Sequence, residues 1–266
     1  MPANDLDLLI GAARAAGQIA LRHWGKSPRT WEKPDGAGPV TEADLEVDRA
    51  LADALTGARP GYGWLSEESE DSARRLNCER TFIIDPIDGT RAFIKGEKGF
   101  SHSLAVACNG TVESAVVYLP ALDLLYTATR GGPALLNGAP LTPSSPLGSE
   151  GVSALTNATA LQPEFWPGGV PNLHRAFRPS LAWRLCLVAE GEHDALITLR
   201  DAWEWDIAAG CLIAEAAGVR VTDRNGGPLR FNAPTPLTAG VIAAPPRAAR
   251  RASDPAAGSV IEQSFS

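Results

Sequence analysis

Residues 82–90, Phe-Ile-Ile-Asp-Pro-Ile-Asp-Gly-Thr, place two carboxylates in a short turn between an apolar strand and a helix. Asp85 ends the apolar run, Asp88 follows three residues later, and a proline restricts the turn between them. Gly89 and Thr90 then open a helix, whose first N–H groups lack intrahelical partners and can hold a phosphate. Because hard divalent cations prefer carboxylate oxygens, this turn is predicted to bind a metal ion and a phosphate group.

Two more acidic positions extend this potential ligand set. Glu67 follows an apolar stretch that ends near Leu65, and Asp206 begins an Ala-rich helix. A surface turn would also explain Asp85 and Asp88, and the helix dipole alone would explain Asp206. Taken together, the carboxylates offer only oxygen ligands, which favours Mg²⁺ or Mn²⁺ over Zn²⁺. Two such ions about 3.5–4 Å apart can hold the attacking water and the leaving oxygen of a phosphate monoester.

Other hydrolytic chemistries lack their motifs in this sequence. The histidines (His23, His102, His174 and His193) form no His-x-x-x-His pair, which disfavours a zinc hydrolase. No Gly-x-Ser-x-Gly segment is present, which disfavours a serine hydrolase of that type. His102 lies between two serines and resembles a catalytic base. In an alternating strand, however, a histidine satisfied by local hydrogen bonds is the preferred interpretation.

Composition narrows the class of protein and its partners. The 266 residues carry a net charge of −7 and no run of Lys or Arg, which argues against a nucleic-acid partner. No basic N-terminal region and no long apolar segment suggest a signal peptide or a membrane partner. The cysteines are widely spaced with no Cys-x-x-Cys pair, which predicts reduced thiols. We therefore expect a cytoplasmic protein.

The hydrophobic pattern predicts a mixed α/β (α+β) fold in two parts. Helices are expected over 5–24, from Thr41 onward, and near 181–191 and 206–217. Strands are expected near 62–66, 81–85, 102–108, 112–119, 123–129 and 195–198. A Pro/Ser/Gly-rich stretch at 139–151 is the best boundary. Residues 1–140 would then carry most metal ligands, and 141–266 would supply Asp206 and the substrate-side wall.

Four motifs in this order resemble the inositol monophosphatase superfamily of Mg²⁺-dependent, typically lithium-sensitive phosphatases. They are Pro-Val-Thr-Glu-Ala-Asp at 39–44, Ser-Glu-Glu-Ser at 66–69, Asp-Pro-Ile-Asp-Gly-Thr at 85–90 and Trp-Asp-Ile-Ala-Ala-Gly at 205–210. The resemblance spans residues 33 to 227. It implies a layered αβαβα sandwich, as in inositol monophosphatase and fructose-1,6-bisphosphatase, and a homodimer as the expected assembly.

The resemblance also implies a metal-ligand set. Glu67, Asp85 and the carbonyl group of Ile87 would hold a first cation, and Asp85, Asp88 and Asp206 a second. Two or three Mg²⁺ ions per site are implied, with Mn²⁺ as a substitute.

Roles in catalysis follow from the same resemblance. Backbone amides of Gly89 and Thr90 would bind the phosphate. Thr90, with Asp44, would orient and deprotonate the attacking water beside Glu67. Lys33 matches the lysine of a mobile loop that approaches the site on closure; a solvated loop lysine explains it equally well.

The segments expected to contact the substrate resemble more than one group of phosphatases. Residues 88–94 resemble both the CysQ-type 3'(2'),5'-bisphosphate nucleotidases and the histidinol-phosphatases. A second block, made of 180–181, 186–191 and 204–206 and therefore including Glu204, also resembles the nucleotidases. Leu199 stands where inositol phosphatases often carry a substrate-binding carboxylate. The lysine expected after residue 181 is replaced by Trp-Arg at 183–184, so Arg184 or Arg200 would have to bind a second phosphate.

Cleavage of 3'-phosphoadenosine 5'-phosphate to AMP and phosphate is therefore the leading prediction. Inositol 1-phosphate and histidinol phosphate are the alternatives among small phosphorylated metabolites. Trp203 and Trp205 would either stack on a base or pack in the core. The non-enzymatic alternative is a regulatory protein that binds metal and phosphate without turnover. A missing metal ligand or water-activating residue in the sequence would indicate it.

Overall fold

The computed structural model describes residues 4–36, 38–141 and 152–246. In these ranges the helices are α1 (Asp5–His23), α2 (Glu42–Ala58), α3 (Thr90–Ile94), α4 (Leu181–Glu190) and α5 (Glu204–Ala216). The strands are β1 (Thr30–Glu32), β2 (Pro39–Thr41), β3 (Gly63–Ser66), β4 (Arg80–Asp88), β5 (Ser101–Cys108), β6 (Thr111–Leu119), β7 (Leu124–Thr129), β8 (Leu135–Leu136), β9 (Ala139–Pro140), β10 (Val152–Thr156), β11 (Leu173–Ala176), β12 (Ala195–Thr198), β13 (Ala202–Trp203), β14 (Arg220–Thr222), β15 (Leu237–Thr238) and β16 (Val241–Ala244).

The two N-terminal helices begin at side-chain caps, and the sequence predicts the one at Thr41. The Asn4 side chain accepts a hydrogen bond from the N–H of Asp7 at the start of α1. At α2, Thr41 and Asp44 form a reciprocal capping box. Both helices are confirmed, and their apolar faces pack on the same side of the large sheet.

The large sheet joins β3 to β9 in sequence order, with β3 and β4 parallel and the remaining pairs antiparallel. Side chains alternate across β4, so Phe82 and Ile84 pack against α1 and α2, while Ile83 belongs to the cluster on the other face. Because both faces of this strand are covered, its apolar run is continuous rather than alternating with polar residues.

One local prediction is wrong. The sequence suggested a strand that stops at Asp85, followed by a turn, whereas β4 continues to Asp88 through a bulge. Asp85 and Asp88 both keep partners on β5, and the register shifts between them. Pro86 has no N–H to donate, and a bulge is one of the few places where a strand tolerates proline.

The small sheet follows the order β11-β10-β12-β16-β14 and mixes parallel with antiparallel pairs. Helices α4 and α5 lie between the two sheets and share one apolar cluster with both. On the far face of the small sheet, Trp166 packs against Ala154 and Ile197, next to the 3₁₀ turns 158–161 and 163–165. The layered α/β sandwich is confirmed, and α5 starts two residues earlier than expected.

The predicted boundary at 140/141 stays a prediction. Strands of the large sheet end at Pro140 and those of the small sheet begin at Val152, but 142–151 lie outside the described residues. All four cysteines fall within the described ranges and are free thiols. Among the helices that the structure describes, none combines the length and apolar character needed to span a bilayer.

Candidate active site

A cavity of about 380 Å³ opens where β4, α3, α4 and α5 meet. Its lining has two electrostatic characters. The acidic residues of the lining are Glu67, Asp85, Asp88, Glu97 and Asp206, and the basic ones are Arg91, Lys95, Arg184 and Arg200. The structure therefore brings together carboxylates that are as far as 139 positions apart in the sequence, Glu67 and Asp206.

Three of these carboxylates form a compact cluster. One ligand oxygen from each of Glu67, Asp85 and Asp206 lies within 4.8 Å of the others. Burial and then the neighbouring carboxylates raise the pKa of Asp85 and of Asp206 well above the ordinary range. Three acids held this close repel one another unless protons or a cation neutralise them.

The cluster fits a hard divalent cation. Asp85 is 1% exposed, and its Oδ1 has no hydrogen-bond partner among the described residues. A buried, unpartnered carboxylate oxygen is costly, and metal coordination would satisfy it. Glu67, Asp85 and Asp206 are positioned to hold such an ion, and Ile87 and Asp88 line the same cavity. Bound there, Mg²⁺ would stabilise charge on phosphoryl oxygens and lower the pKa of water.

Asp88 is anchored at the start of α4. Its Oδ2 accepts hydrogen bonds from Ser180 Oγ and from the N–H of Ala182, both at 2.7 Å. This places the carboxylate at the positive end of the helix dipole. Burial nevertheless raises the pKa of Asp88 to about 6, against the lowering effect of these bonds.

Thr90 and Asp44 are in contact at the cavity edge. Thr90 Oγ1 lies 3.2 Å from Asp44 Oδ1 and 3.0 Å from the carbonyl oxygen of Ile87. The other carboxylate oxygen of Asp44 accepts from the N–H of Thr41 at 2.8 Å and from its hydroxyl. Burial raises the pKa of Asp44 to about 6 despite these bonds. The capping box thus holds Oδ2 of Asp44, and Oδ1 remains free to accept a hydrogen bond from the Thr90 hydroxyl.

Gly89 provides the backbone conformation at the start of α3. It caps the helix with φ of +97°, a left-handed value that favours glycine. An added Cβ would also lie 3.3 Å from the carbonyl oxygen of Gly99. Gly89 and Thr90 both line the cavity beside the carboxylates, where the implied phosphate would bind.

Lys33 reaches the acidic cluster from the loop after β1. Its Nζ lies 2.6 Å from Glu67 Oε1 and 2.7 Å from Glu68 Oε1. Burial lowers the pKa of Lys33, but the two carboxylates raise it by more, so the net pKa is above its ordinary value. The structure therefore brings this lysine to the site, and it does not behave as a solvated loop residue.

Arg184 lines the cavity and is held in place by backbone groups. Its side chain donates to the carbonyl oxygens of Arg178 and, at 3.1 Å, Pro179. The guanidinium also stacks 4.2 Å from the ring centroid of Phe177. Burial lowers the pKa of Arg184 to about 10, so the group stays charged at neutral pH.

Glu204 requires a correction. It is fully buried, and its two carboxylate oxygens accept from the N–H groups of Asn232 and Ala233. It is not among the residues that line the cavity. We assign it to holding the 232–233 segment against α5 and no longer to substrate binding.

Sequence reasoning also missed part of the lining. Arg91 and Lys95 lie four positions apart, just after the motif predicted to bind phosphate, and that spacing could have identified them. Phe177 is 50% exposed at the cavity, and no local pattern distinguishes it. Trp203 and Trp205 stack on each other at 4.7 Å and are absent from the lining residues.

Comparison with known proteins shows the family of this chain. The model of the inositol monophosphatase family matches residues 2–261, and the chain belongs to this family. It is 34% identical over 233 residues to an inositol-1-monophosphatase of Rhizobium meliloti, covering 84% of this chain and 86% of the relative. Members are Mg²⁺-dependent phosphatases, and this chain is an enzyme of that class.

Solved structures extend the likeness to the whole fold. An IMPase of Thermotoga maritima has a TM-score of 0.75 and 31% identity, covering 90% of this chain and 91% of the other. CysQ of Bacteroides thetaiotaomicron, described as a bacterial member of the family, has a TM-score of 0.75 and 27% identity, covering 91% and 97%.

The stability of the metal-free protein should depend on pH. Asp44 and Asp88 have a pKa of about 6 in the folded state, above the unfolded value near 3.9. The folded state therefore binds more protons than the unfolded state between about pH 4 and 6, so the free energy of unfolding falls as pH rises through that window. Urea unfolding with EDTA should show this fall, and saturating Mg²⁺ should reduce it. Identical pH profiles with EDTA and with Mg²⁺ would contradict the assignment.

Proposed function

We propose that this phosphatase hydrolyses a small metabolite that carries a second anionic group beside the phosphate it loses. The leading substrate is a 3'(2'),5'-bisphosphate nucleotide, with 3'-phosphoadenosine 5'-phosphate converted to AMP and phosphate. The observation that carries the proposal is the cavity lining, which combines the carboxylates Glu67, Asp85, Asp88 and Asp206 with basic side chains that include Arg184 and Arg200.

The carboxylates of the cavity support the hydrolytic step. The carboxylates would hold Mg²⁺, with Mn²⁺ as a substitute and two or three ions in all, and the amides of Gly89 and Thr90 would bind the scissile phosphate. Thr90 can orient a water molecule and pass its proton to Asp44 Oδ1, which lies 3.2 Å from the threonine hydroxyl. A carboxyl with a pKa of about 6 is a suitable proton acceptor near neutral pH.

The arginines of the cavity support binding of a second anionic group on the substrate. Among the described ion pairs, neither Arg184 nor Arg200 is matched to a carboxylate within salt-bridge distance. Both nevertheless line the cavity that holds the acidic cluster. Both guanidinium groups interact with cavity carboxylates only at longer range, Arg184 with Asp88 and Arg200 with Asp206. They therefore remain available to a phosphate, whose geometry arginine matches with paired N–H donors.

The exposed ring of Phe177 supports the proposal that the same substrate also carries a planar group. One face of its ring packs on the Arg184 guanidinium, and half of the side chain remains exposed at the cavity. An exposed ring of this kind can stack on a nucleobase, an interaction that contributes about 1–3 kcal/mol per base in proteins that bind single-stranded nucleic acids.

Inositol 1-phosphate remains the second candidate. The Rhizobium meliloti relative is named an inositol-1-monophosphatase. Against it, Leu199 packs beside an apolar cluster of the small sheet and does not line the cavity, so no carboxylate stands there to bind a polyol hydroxyl. Histidinol phosphate is a further monophosphate to be compared.

The substrate proposal is tested by comparing kcat/KM for the bisphosphate nucleotide, inositol 1-phosphate and histidinol phosphate at saturating Mg²⁺. We expect the nucleotide to be preferred by at least about 10-fold, since a charged hydrogen-bonded contact contributes about 1.5–3 kcal/mol. A preference for either monophosphate would reject the nucleotidase assignment and leave the phosphatase class intact.

Substitution of Arg200 by Gln should affect substrates unequally. We expect kcat/KM for the bisphosphate nucleotide to fall about 10-fold, through KM, because one charged contact to the second phosphate is lost. Activity on inositol 1-phosphate should change by less than about twofold on the same reasoning. Arg175→Gln removes the same charge from an exposed position outside the cavity and is the matched control. Equal losses on both substrates would argue against a second-anion site.

A further inference from the structure

His102 faces the bulge that separates two of the cavity carboxylates. Asp85 and Asp88 pair with the residues on either side of His102 on β5, so this histidine lies opposite the two residues between them. A bulge of this kind interrupts the hydrogen-bond ladder between the strands. The Nδ1 atom of His102 makes a hydrogen bond to the carbonyl oxygen of Pro86, within that interruption. Because a carbonyl oxygen only accepts, Nδ1 carries the ring proton.

Apart from the hydrogen bond to Pro86, the described surroundings of the His102 ring are aromatic. The side chain is 0% exposed, and its ring centroid lies 6.5 Å from that of Phe100 and 6.3 Å from that of Tyr118. Its Nε2 atom has no hydrogen-bond partner in the part of the chain that the structure describes. A buried nitrogen without a partner costs stability, so packing alone does not explain a histidine here.

The serines that flank His102 on β5 contact groups next to two cavity carboxylates, Asp206 and Asp88. Ser103 Oγ donates a hydrogen bond of 2.9 Å to the carbonyl oxygen of Trp205, the residue before the last acidic member of the cluster. Ser101 Oγ lies 2.9 Å from Ser180 Oγ, which donates to Asp88. Three consecutive side chains of β5 therefore contact backbone or side-chain groups next to cavity carboxylates.

We propose that His102 is a positioning residue for the metal ligands. Its Nδ1–H holds the Pro86 carbonyl group and thereby fixes the bulge that presents Asp85 and Asp88 to the cavity. The proposal rests on the proposed metal site. It adds the requirement that a hydrogen-bond donor on β5 holds the Pro86 carbonyl group between the two carboxylates. Groups that hold metal ligands in place contribute to metal affinity without touching the ion.

A pair of amide substitutions tests the position of that donor. His102→Asn places an amide N–H close to where Nδ1–H lies, whereas His102→Gln places it near the Nε2 position. Mg²⁺ binding is measured by isothermal titration calorimetry, which requires no turnover, and urea unfolding in EDTA reports the stability of each variant. His102→Leu, which has no donor, completes the series.

We expect the Asn variant to bind Mg²⁺ within about threefold of wild type, and the Gln and Leu variants at least about 10-fold more weakly. The activities should follow, with the Mg²⁺ concentration for half-maximal rate rising in the same order. Wild-type Mg²⁺ affinity in the Gln variant would overturn the proposal. So would equal losses in the Asn and Gln variants, since the effect would then be independent of the donor position.

Failure of this inference can be separated from failure of the metal site. If wild type binds Mg²⁺ and Asp85→Asn does not, the site stands, and the histidine series alone decides the role of His102. If wild type binds no Mg²⁺, both proposals are rejected. Ser114→Ala is the control for disturbance of the sheet, because Ser114 is buried on β6 opposite Val106 and outside the cavity lining.

Discussion

Asp88→Asn is expected to lower kcat/KM by at least about 10³-fold, because a cation in the cavity loses one charged ligand and several kcal/mol of charge stabilisation. The variant should remain folded. An asparagine carbonyl can still accept the hydrogen bonds from Ser180 and the Ala182 N–H that anchor this position. Phosphate release is measured at saturating Mg²⁺, and thermal unfolding reports the fold.

The control for Asp88→Asn is Asp53→Asn, which makes the same chemical change at an exposed position on α2. That variant should retain wild-type activity and stability. Turnover near the wild-type level in Asp88→Asn would show that this carboxylate is not part of the catalytic site, whatever the remaining ligands do.

Thr90→Val should produce the second large effect. Valine keeps the shape of the side chain but removes the hydroxyl that contacts Asp44 Oδ1 and the Ile87 carbonyl oxygen. Loss of a positioned proton-transfer group costs about 10²–10⁴-fold in rate. We expect that loss in kcat, with KM changed little, since the backbone amide of residue 90 proposed to bind phosphate is retained.

Thr90→Ser is the matched variant, because it restores the hydroxyl without the methyl group. It should retain kcat within about 10-fold of wild type if the hydroxyl carries the effect. A serine variant as slow as the valine variant would point to packing at residue 90 and would contradict a proton-transfer role for its side chain.

The sequence predicted those site features that are local. Residues 85–90 carry two carboxylates, a glycine predicted to bind phosphate and a helix start within six residues, and all of them except Pro86 line the cavity. The capping box at Thr41 and Asp44 was equally readable, because its partners are three positions apart. Local chemistry of this kind needs no knowledge of tertiary contacts.

Features that depend on distant partners were not predictable. The extension of β4 through Pro86 requires β5 as a neighbour, and no local pattern encodes that pairing. Glu204 resembled a substrate contact until the structure placed residues 232–233 against its carboxylate. Phe177 and its contact with Arg184 likewise arise where a loop before α4 reaches the cavity. The loop side of the cavity was therefore harder to predict than its cluster of carboxylates.

The most direct test of the account is phosphate release by metal-free protein as Mg²⁺ is added. The assay uses the bisphosphate nucleotide, inositol 1-phosphate and histidinol phosphate in parallel, each first with EDTA. We predict no release above the Asp88→Asn background in EDTA and a saturable rise with Mg²⁺ on at least one substrate. Release that is unchanged by EDTA, or no release from any of the three at saturating Mg²⁺, would contradict the proposed metal-dependent phosphatase site.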